Sequence, residues 1–250
     1  MTEAPTATSR ISDAARRLSR RAGRTVFRFG RAVNPRDRLP GAMARYRDTW
    51  TSPDVASQML ELTNRQLEHP DDVAPYRAFR ELLELLVQEE RLPRPATFLD
   101  IGCGMGAYGE LLERWAAGRF EYTGADYAEA VVARAQERWP AGRFVRRDVH
   151  EPLALDGFDV LFASALLDVL ADYEPVLDAL CAADAPWLLL HRQRIGRRSG
   201  VEVVPGYRGQ RTYRSTLTPE QLREVAARHG RRIAASVDVE GDVQSFLLVR

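Results

Sequence analysis

From Thr97 onward the chain alternates between short apolar runs and longer stretches whose apolar residues recur at steps of three and four. The runs are "TFLDIG", "FEYTGAD", "FVRRD", "FDVLFAS" and "WLLLH". Their length, with aromatic and β-branched residues bounded by turn formers, predicts strands. Residues 107–117, 128–139, 173–183 and 219–229 carry the helical period between or after them. Such alternation predicts an α/β fold: a doubly wound, mostly parallel, Rossmann-like sheet of seven strands. The end breaks the rhythm. "RIAASVDV" and "VQSFLLVR" are separated only by "EGD". Two strands joined by so short a turn run antiparallel, which predicts an antiparallel last strand.

Upstream, the pattern is helical. Ser52-Pro53 reads as an N-cap followed by proline at the first helical position, predicting a helix over residues 53–68. A second helix over 73–90 places Phe79, Leu82, Leu83, Leu86 and Val87 on one face. These two form an N-terminal helical cap, with Tyr46, Trp50 and Tyr76 either lining a lid or packing as ordinary core. The expected division is a basic tail at 1–45, a helical cap or lid at 46–92, and the sheet domain at 93–250.

Charge changes the picture only at the start. The net charge is +1, yet the first 47 or so residues hold about a dozen arginines and few acids, so the remainder is acidic. A stripe of Ile11, Ala15, Leu18, Ala22, Val26, Phe29 and Val33 runs through this basic segment. It reads as an interfacial helix on anionic lipid, or as a tail that is solvated or folds back. Peripheral membrane contact is therefore one expected partner. No apolar run is long enough to span a bilayer, and no apolar signal core follows Ser19-Arg20-Arg21. The expected compartment is cytoplasmic, with Cys103 and Cys181 reduced. His69, His150 and His229 share no metal-ligand spacing, and no metal is expected.

The chemistry concentrates at "LDIGCGMGAYG", where a strand turns into a helix. Glycine lets the backbone approach a ligand and take positive φ, and a helix start offers free N–H groups to an anionic group. Gly104, Gly106 and Gly109 spell the G-x-G-x-x-G of dinucleotide-binding proteins, which leaves an NAD-linked oxidoreductase as an alternative. Asp100, Gly102, Gly104 and Gly106 also make an acid followed by three alternating glycines. In this the sequence resembles the class I S-adenosylmethionine-dependent methyltransferases, over roughly residues 95–250.

That resemblance implies a cofactor, S-adenosyl-L-methionine, and a set of residues. "YTGADYAEAVVARAQER" resembles the second motif, with Asp126 accepting from the ribose hydroxyls and Tyr127 covering one adenine face. "FVRRDV" resembles the third, with Asp148 near the adenine amino group and the Val149 N–H near the ring. "FDVLFASALLDVL" resembles the fourth, and Ser164 falls at its strand end beside the transfer site. Asp100 would favour the methionine ammonium; its alternative role is to fix the loop. The reversed last strand also belongs to the methyltransferase sheet.

The fourth motif lacks the Asn/Asp-Pro-Pro-Tyr/Phe of many base and glutamine methyltransferases; it reads Ala163-Ser164-Ala165-Leu166. Nucleic acid is therefore not an expected acceptor. The expectation is a small-molecule or glycan acceptor, a lipid-linked one if the basic segment binds membrane, with O-methylation favoured over N-methylation. Asp168, after the fourth strand, and His191, ending "WLLLH", are the candidate general bases. The basic, aromatic stretch between His191 and Thr218, with Arg192, Arg194, Tyr207, Arg211, Tyr213 and Arg214, reads as acceptor contacts for an anion or sugar, or as a solvated loop. A further alternative is a catalytically silent S-adenosylmethionine-binding module.

Overall fold

The computed structural model describes residues 48–152, 154–206 and 209–250. The basic segment, Tyr46 and Tyr207 lie outside the described residues. Helix α1 (Pro53–Glu68) and helix α2 (Ala74–Val87) come first, each with proline in its first turn. Then follow β1 (Ala96–Ile101), α3 (Ala107–Ala116), β2 (Phe120–Asp126), α4 (Glu129–Arg138), β3 (Arg143–Arg146), β4 (Val160–Ser164), α5 (Tyr173–Ala182) and β5 (Trp187–Arg194). A hairpin of β6 (Gly200–Pro205) and β7 (Arg211–Thr216) precedes α6 (Pro219–Arg228), β8 (Arg232–Glu240) and β9 (Val243–Val249).

Seven strands form one sheet in the order β3-β2-β1-β4-β5-β9-β8. Neighbours from β3 to β5 pair in parallel, while β9 runs antiparallel to both β5 and β8. The reversed last strand expected from the short "EGD" turn is thus present. Strand order reverses between β1 and β4, and in open α/β sheets a crevice opens at the carboxyl ends of such a pair.

Alternation along the strands sends side chains into two apolar layers. On one face Phe98, Phe162 and Leu189 meet Phe79, Leu82 and Leu86 of α2, with Leu111 of α3. On the other, Leu99, Ile101, Leu161, Leu188 and Leu190 meet Leu177 and Leu180 of α5 and Leu222 of α6. Helix α2 is therefore a full member of the core layer. Helix α1 instead leans across the glycine loop: Ala56 and Met59 pack with Met105, Ala128, Val131 and Tyr127.

The β6–β7 hairpin corrects the picture of the 192–217 stretch as loop. Its strands pair antiparallel from Gly200↔Thr216 to Pro205↔Arg211. It is tied to the rest by Ser215 Oγ donating to the Leu170 carbonyl and Thr49 Oγ1 donating to the Arg211 carbonyl. Among the described residues, no helix is long and apolar enough to cross a membrane.

Candidate active site

A cavity of about 830 Å³ opens at the switch point between β1 and β4. Its floor is the glycine loop, its sides the ends of β2, β4 and β5, and its roof Met59, Thr63 and Gln66 of α1 with Pro75 and Tyr76 of α2. Trp50 and Tyr213 also line it. Of the three aromatic residues proposed for a lid, Trp50 and Tyr76 reach the cavity.

The loop turns sharply because Gly102 (φ +74°), Gly104 (φ +52°) and Gly106 (φ +73°) all take the left-handed region. Gly102 and Gly104 line the cavity. A Cβ on Gly104 would sit 3.1 Å from Met59 Cε, so a side chain there would crowd the roof. Gly106 does something else. It lies away from the cavity lining, and a Cβ there would meet the Phe144 ring at 2.5 Å. Its role is close packing of the loop on β3 at the start of α3. Gly109 is similar: its Cβ would meet Trp139 at 2.4 Å and Tyr122 at 2.7 Å. The last glycine of the dinucleotide fingerprint is therefore a packing position inside α3.

Asp126 ends β2 with its carboxylate at the rim of the loop. Oδ2 accepts the Gly104 N–H at 3.1 Å and Oδ1 the Ala128 N–H at 3.1 Å. The same group thus fixes the glycine loop and caps the approach to α4. Burial raises its pKa, and the N–H donors of Ala128, Gly104 and Tyr127 oppose that rise. Each carboxylate oxygen carries two lone pairs, which leaves acceptor capacity toward a pair of hydroxyls. Tyr127, Asp148, Val149 and Ser164 all line the cavity. Asp148 also holds its own turn, accepting the His150 N–H at 3.0 Å.

Asp100 is fully buried and lies beneath the loop, outside the cavity lining. Alternation puts it on the same face as Ala96 and Phe98, where Tyr122 donates to its Oδ2 at 2.9 Å. Oδ1 has no hydrogen-bond partner among the described residues. Burial, with Asp126 adding to it, pushes the carboxyl up to about 7 against the lowering effect of the Tyr122 hydrogen bond.

His191 corrects an expectation. The ring does not line the cavity; it is fully buried. It follows Trp187 and Leu189 onto the α2 face, stacked on Phe162 at 5.6 Å and edge-on to Tyr108 at 5.2 Å. Burial and the adjacent Arg192 charge hold its pKa well below the ordinary value, so the ring is neutral. Its Nδ1 lies 2.7 Å from Ser245 Oγ, and that hydroxyl also accepts the Arg192 N–H at 3.2 Å. His191 therefore anchors the end of β5.

That anchoring matters for the next residue. The β5–β9 register shifts between Leu190 and Gln193, and Arg192 takes φ +58°. Bulges re-aim side chains, and a non-glycine residue in the left-handed region costs about 1–3 kcal/mol that surrounding contacts must offset. Here the result is that Arg192 lines the cavity. Ala165, just past β4, shares the conformation (φ +52°), and its N–H donates to the His191 carbonyl at 2.9 Å. Arg192 also hydrogen-bonds Tyr108, whose hydroxyl accepts from Ser164 Oγ at 3.1 Å.

Asp168 lines the same end of the cavity, in a short 3-10 turn over Leu167–Val169. Oδ1 has no hydrogen-bond partner among the described residues. Burial raises the carboxyl to about 6, opposed by Arg192, Arg194 and Arg214. Of the arginines in the basic stretch, Arg194 pairs with Asp242, and Arg214 pairs with Glu202 at 3.2 Å. Neither they nor Arg211 line the cavity. Sequence reasoning passed over Tyr108 and Ser245. Tyr108 sits at an apolar helical position, and Ser245 reads as an ordinary strand residue. Among the described residues, no group of three or more His, Cys, Asp or Glu is placed to hold a metal ion.

A seven-stranded sheet with one reversed strand, opening on a glycine loop that a strand-end acid holds, defines a nucleoside-cofactor α/β fold of the methyltransferase type. The methyltransferase-domain family profile matches residues 98–185. The trans-aconitate 2-methyltransferase of Variovorax paradoxus (strain S110) is 38% identical over 99 residues, 38% of this chain and 37% of that protein. The one from Yersinia pestis is 33% identical over 95 residues, 37% of this chain and 35% of that protein. The match thus spans little more than a third of these relatives' length. An S-adenosylmethionine-dependent methyltransferase from Mesorhizobium loti superposes with a TM-score of 0.53 at 17% identity, covering 72% of this chain and 99% of that one. Magnesium protoporphyrin IX methyltransferase from Synechocystis gives 0.51 at 17% identity, covering 71% and 85%. Residues 98–185 thus match the methyltransferase-domain family, and the chain shares the fold of S-adenosylmethionine-dependent methyltransferases.

The residues present fit that family's cofactor. Two positive-φ glycines floor the cavity, and Asp126 presents spare acceptor capacity to it. Asp100 keeps an oxygen without a hydrogen-bond partner among the described residues beneath the loop.

Proposed function

We propose that this chain moves a methyl group from S-adenosylmethionine to an oxygen of a small-molecule acceptor. One observation carries the reading: the cradle formed by Gly102, Gly104 and Asp126 is continuous with the end of the cavity that Asp168, Arg192 and Tyr213 line. About 830 Å³ lies near the upper end of the ~300–1,000 Å³ typical of ligand sites, which suits a cofactor and a small acceptor together. When bound, the cofactor supplies an electrophilic methyl carbon on sulfur. The chain's own residues align the acceptor, and α1 with α2 exclude water.

Asp126 holds the ribose, Tyr127 and Val149 border the adenine, and Asp148 meets its amino group. Asp168 takes the acceptor's hydroxyl proton. A carboxyl with a pKa of about 6 is largely ionised at pH 7 and still basic enough to accept that proton. His191 keeps a structural part. The two relatives named for trans-aconitate make a carboxylic acid a reasonable first acceptor to try. A lipid-linked acceptor and membrane contact rest only on the basic segment outside the described residues, and a sugar acceptor on the basic, aromatic stretch of which Arg192 and Tyr213 line the cavity.

The test is transfer of a labelled methyl group from S-adenosylmethionine to a panel of hydroxylated and carboxylated small molecules. The expected product is an O-methyl compound, with turnover rising as pH passes through about 6. Asp168→Asn should lower kcat by about 10²–10⁴-fold with the cofactor Kd unchanged. Turnover indifferent to Asp168→Asn and to pH would remove the base assignment.

A further inference from the structure

Arg192 reaches the cavity through an unusual backbone. Its φ is +58°, it sits on the bulge in β5, and its N–H is held by Ser245, which His191 orients. An arginine in a strand needs none of this to point at solvent. A strained residue held by a buried network is the pattern of a functional position. The guanidinium also meets Tyr108, which Ser164 binds in turn.

The surroundings say what such a cation is for. Asp168, whose carboxyl feels the Arg192 charge before any other, lines the same cavity, and so do the apolar residues Leu166, Val169 and Leu170. Arg194 and Arg214, a short way along the chain, are taken up by Asp242 and Glu202 outside the cavity lining. An arginine fork matches a carboxylate's two oxygens, and an apolar wall strengthens the pairing by removing water.

We propose that the acceptor is a hydroxy carboxylic acid with an apolar body, whose carboxylate seats on Arg192 while its hydroxyl faces Asp168. This rests on the methyl-transfer reading above. The carboxylate is the handle and not the nucleophile, because a guanidinium that grips both oxygens withdraws their lone pairs. The hydroxyl oxygen forms the new bond to the methyl carbon. The carbon–sulfur bond breaks with its electron pair staying on sulfur, which neutralises the sulfonium. The hydroxyl proton passes to Asp168. Ser164 and Tyr108 position the guanidinium.

The experiment uses the full chain, S-adenosylhomocysteine and two small probes of nearly the same shape, benzoate and benzamide. S-adenosylhomocysteine is titrated first by calorimetry, and each probe is then titrated into the loaded protein to about 10 mM. The expected result is benzoate binding at least tenfold tighter than benzamide. Arg192→Gln should abolish that preference while leaving S-adenosylhomocysteine affinity unchanged, and Arg192→Lys should restore part of it. Equal binding of the two probes, no benzoate binding, or a preference that survives Arg192→Gln overturns the proposal. If S-adenosylhomocysteine itself fails to bind, the cofactor reading fails separately. The same probe comparison on the cofactor-free protein then still decides the anion seat.

Discussion

Replacing Asp100 with asparagine should stabilise the cofactor-free protein at alkaline pH. The side chain is fully buried, with one oxygen bonded to Tyr122 at 2.9 Å and the other without a partner among the described residues. Burial first, and Asp126 second, raise its pKa from 3.8 to about 7. A carboxyl whose folded pKa is raised binds its proton more tightly when folded. Its contribution to stability is therefore fully present below pH 4 and is lost as pH rises through about 7. Three pKa units at 1.36 kcal/mol each set the loss at up to about 4 kcal/mol. Asparagine never ionises and keeps an acceptor for Tyr122. The variant should match the parent near pH 4 and exceed it at pH 8 by about 2–4 kcal/mol, or roughly 4–16 °C in Tm for a domain of this size. Thermal and urea denaturation of both proteins from pH 4 to 8 measures this. A difference that does not grow with pH, or a variant weaker at pH 8, refutes the reasoning. A bound ammonium beside the loop would draw the same proton off, so cofactor binding near pH 7 should release a proton that Asp100→Asn does not.

Three further outcomes follow from the packing. Gly106→Ala combines a left-handed φ with a Cβ 2.5 Å from Phe144, and should cost about 1–3 kcal/mol by denaturation while loosening the cofactor loop. Gly109→Ala, pressed between Trp139 and Tyr122, should cost a similar amount with less effect on cofactor affinity. Ser245→Ala removes the hydroxyl shared by His191 Nδ1 and the Arg192 N–H. It should raise acceptor KM more than it lowers stability, read from steady-state kinetics beside a melting curve.

The period of the apolar residues made most of the fold legible. The helix over Pro53–Glu68 and the strand Phe120–Asp126 fall where the pattern puts them, and the reversed β9 follows from a turn too short for a crossover. The glycine-loop end of the cavity was partly readable: Gly102, Gly104, Asp126, Tyr127, Asp148, Val149 and Ser164 line it, whereas Asp100 and Gly106, named by the same motif, lie outside the lining. The acceptor side was not. The β6–β7 hairpin has three valines on β6 but only Tyr213 as an apolar residue on β7, among arginines, threonines and a serine, so the basic residues dominated the reading of that stretch. His191 looked like a cleft residue from its place at a strand end. Whether such a residue faces the cleft or the core depends on strand parity and on α2 covering that face, and neither is written in the local sequence. The bulge that turns Arg192 inward arises from pairing with β9, some fifty residues away.

The central claim is that the glycine loop and Asp126 hold S-adenosylmethionine. Calorimetric titration of the full chain with S-adenosylmethionine, S-adenosylhomocysteine and NAD, beside Asp126→Ala, tests it most directly. Losing two hydrogen bonds to a charged acceptor, at about 1.5–3 kcal/mol each, predicts that the first two ligands bind the parent and bind the variant at least about 100-fold more weakly. Binding of NAD in their place, or affinity untouched by Asp126→Ala, would contradict the account.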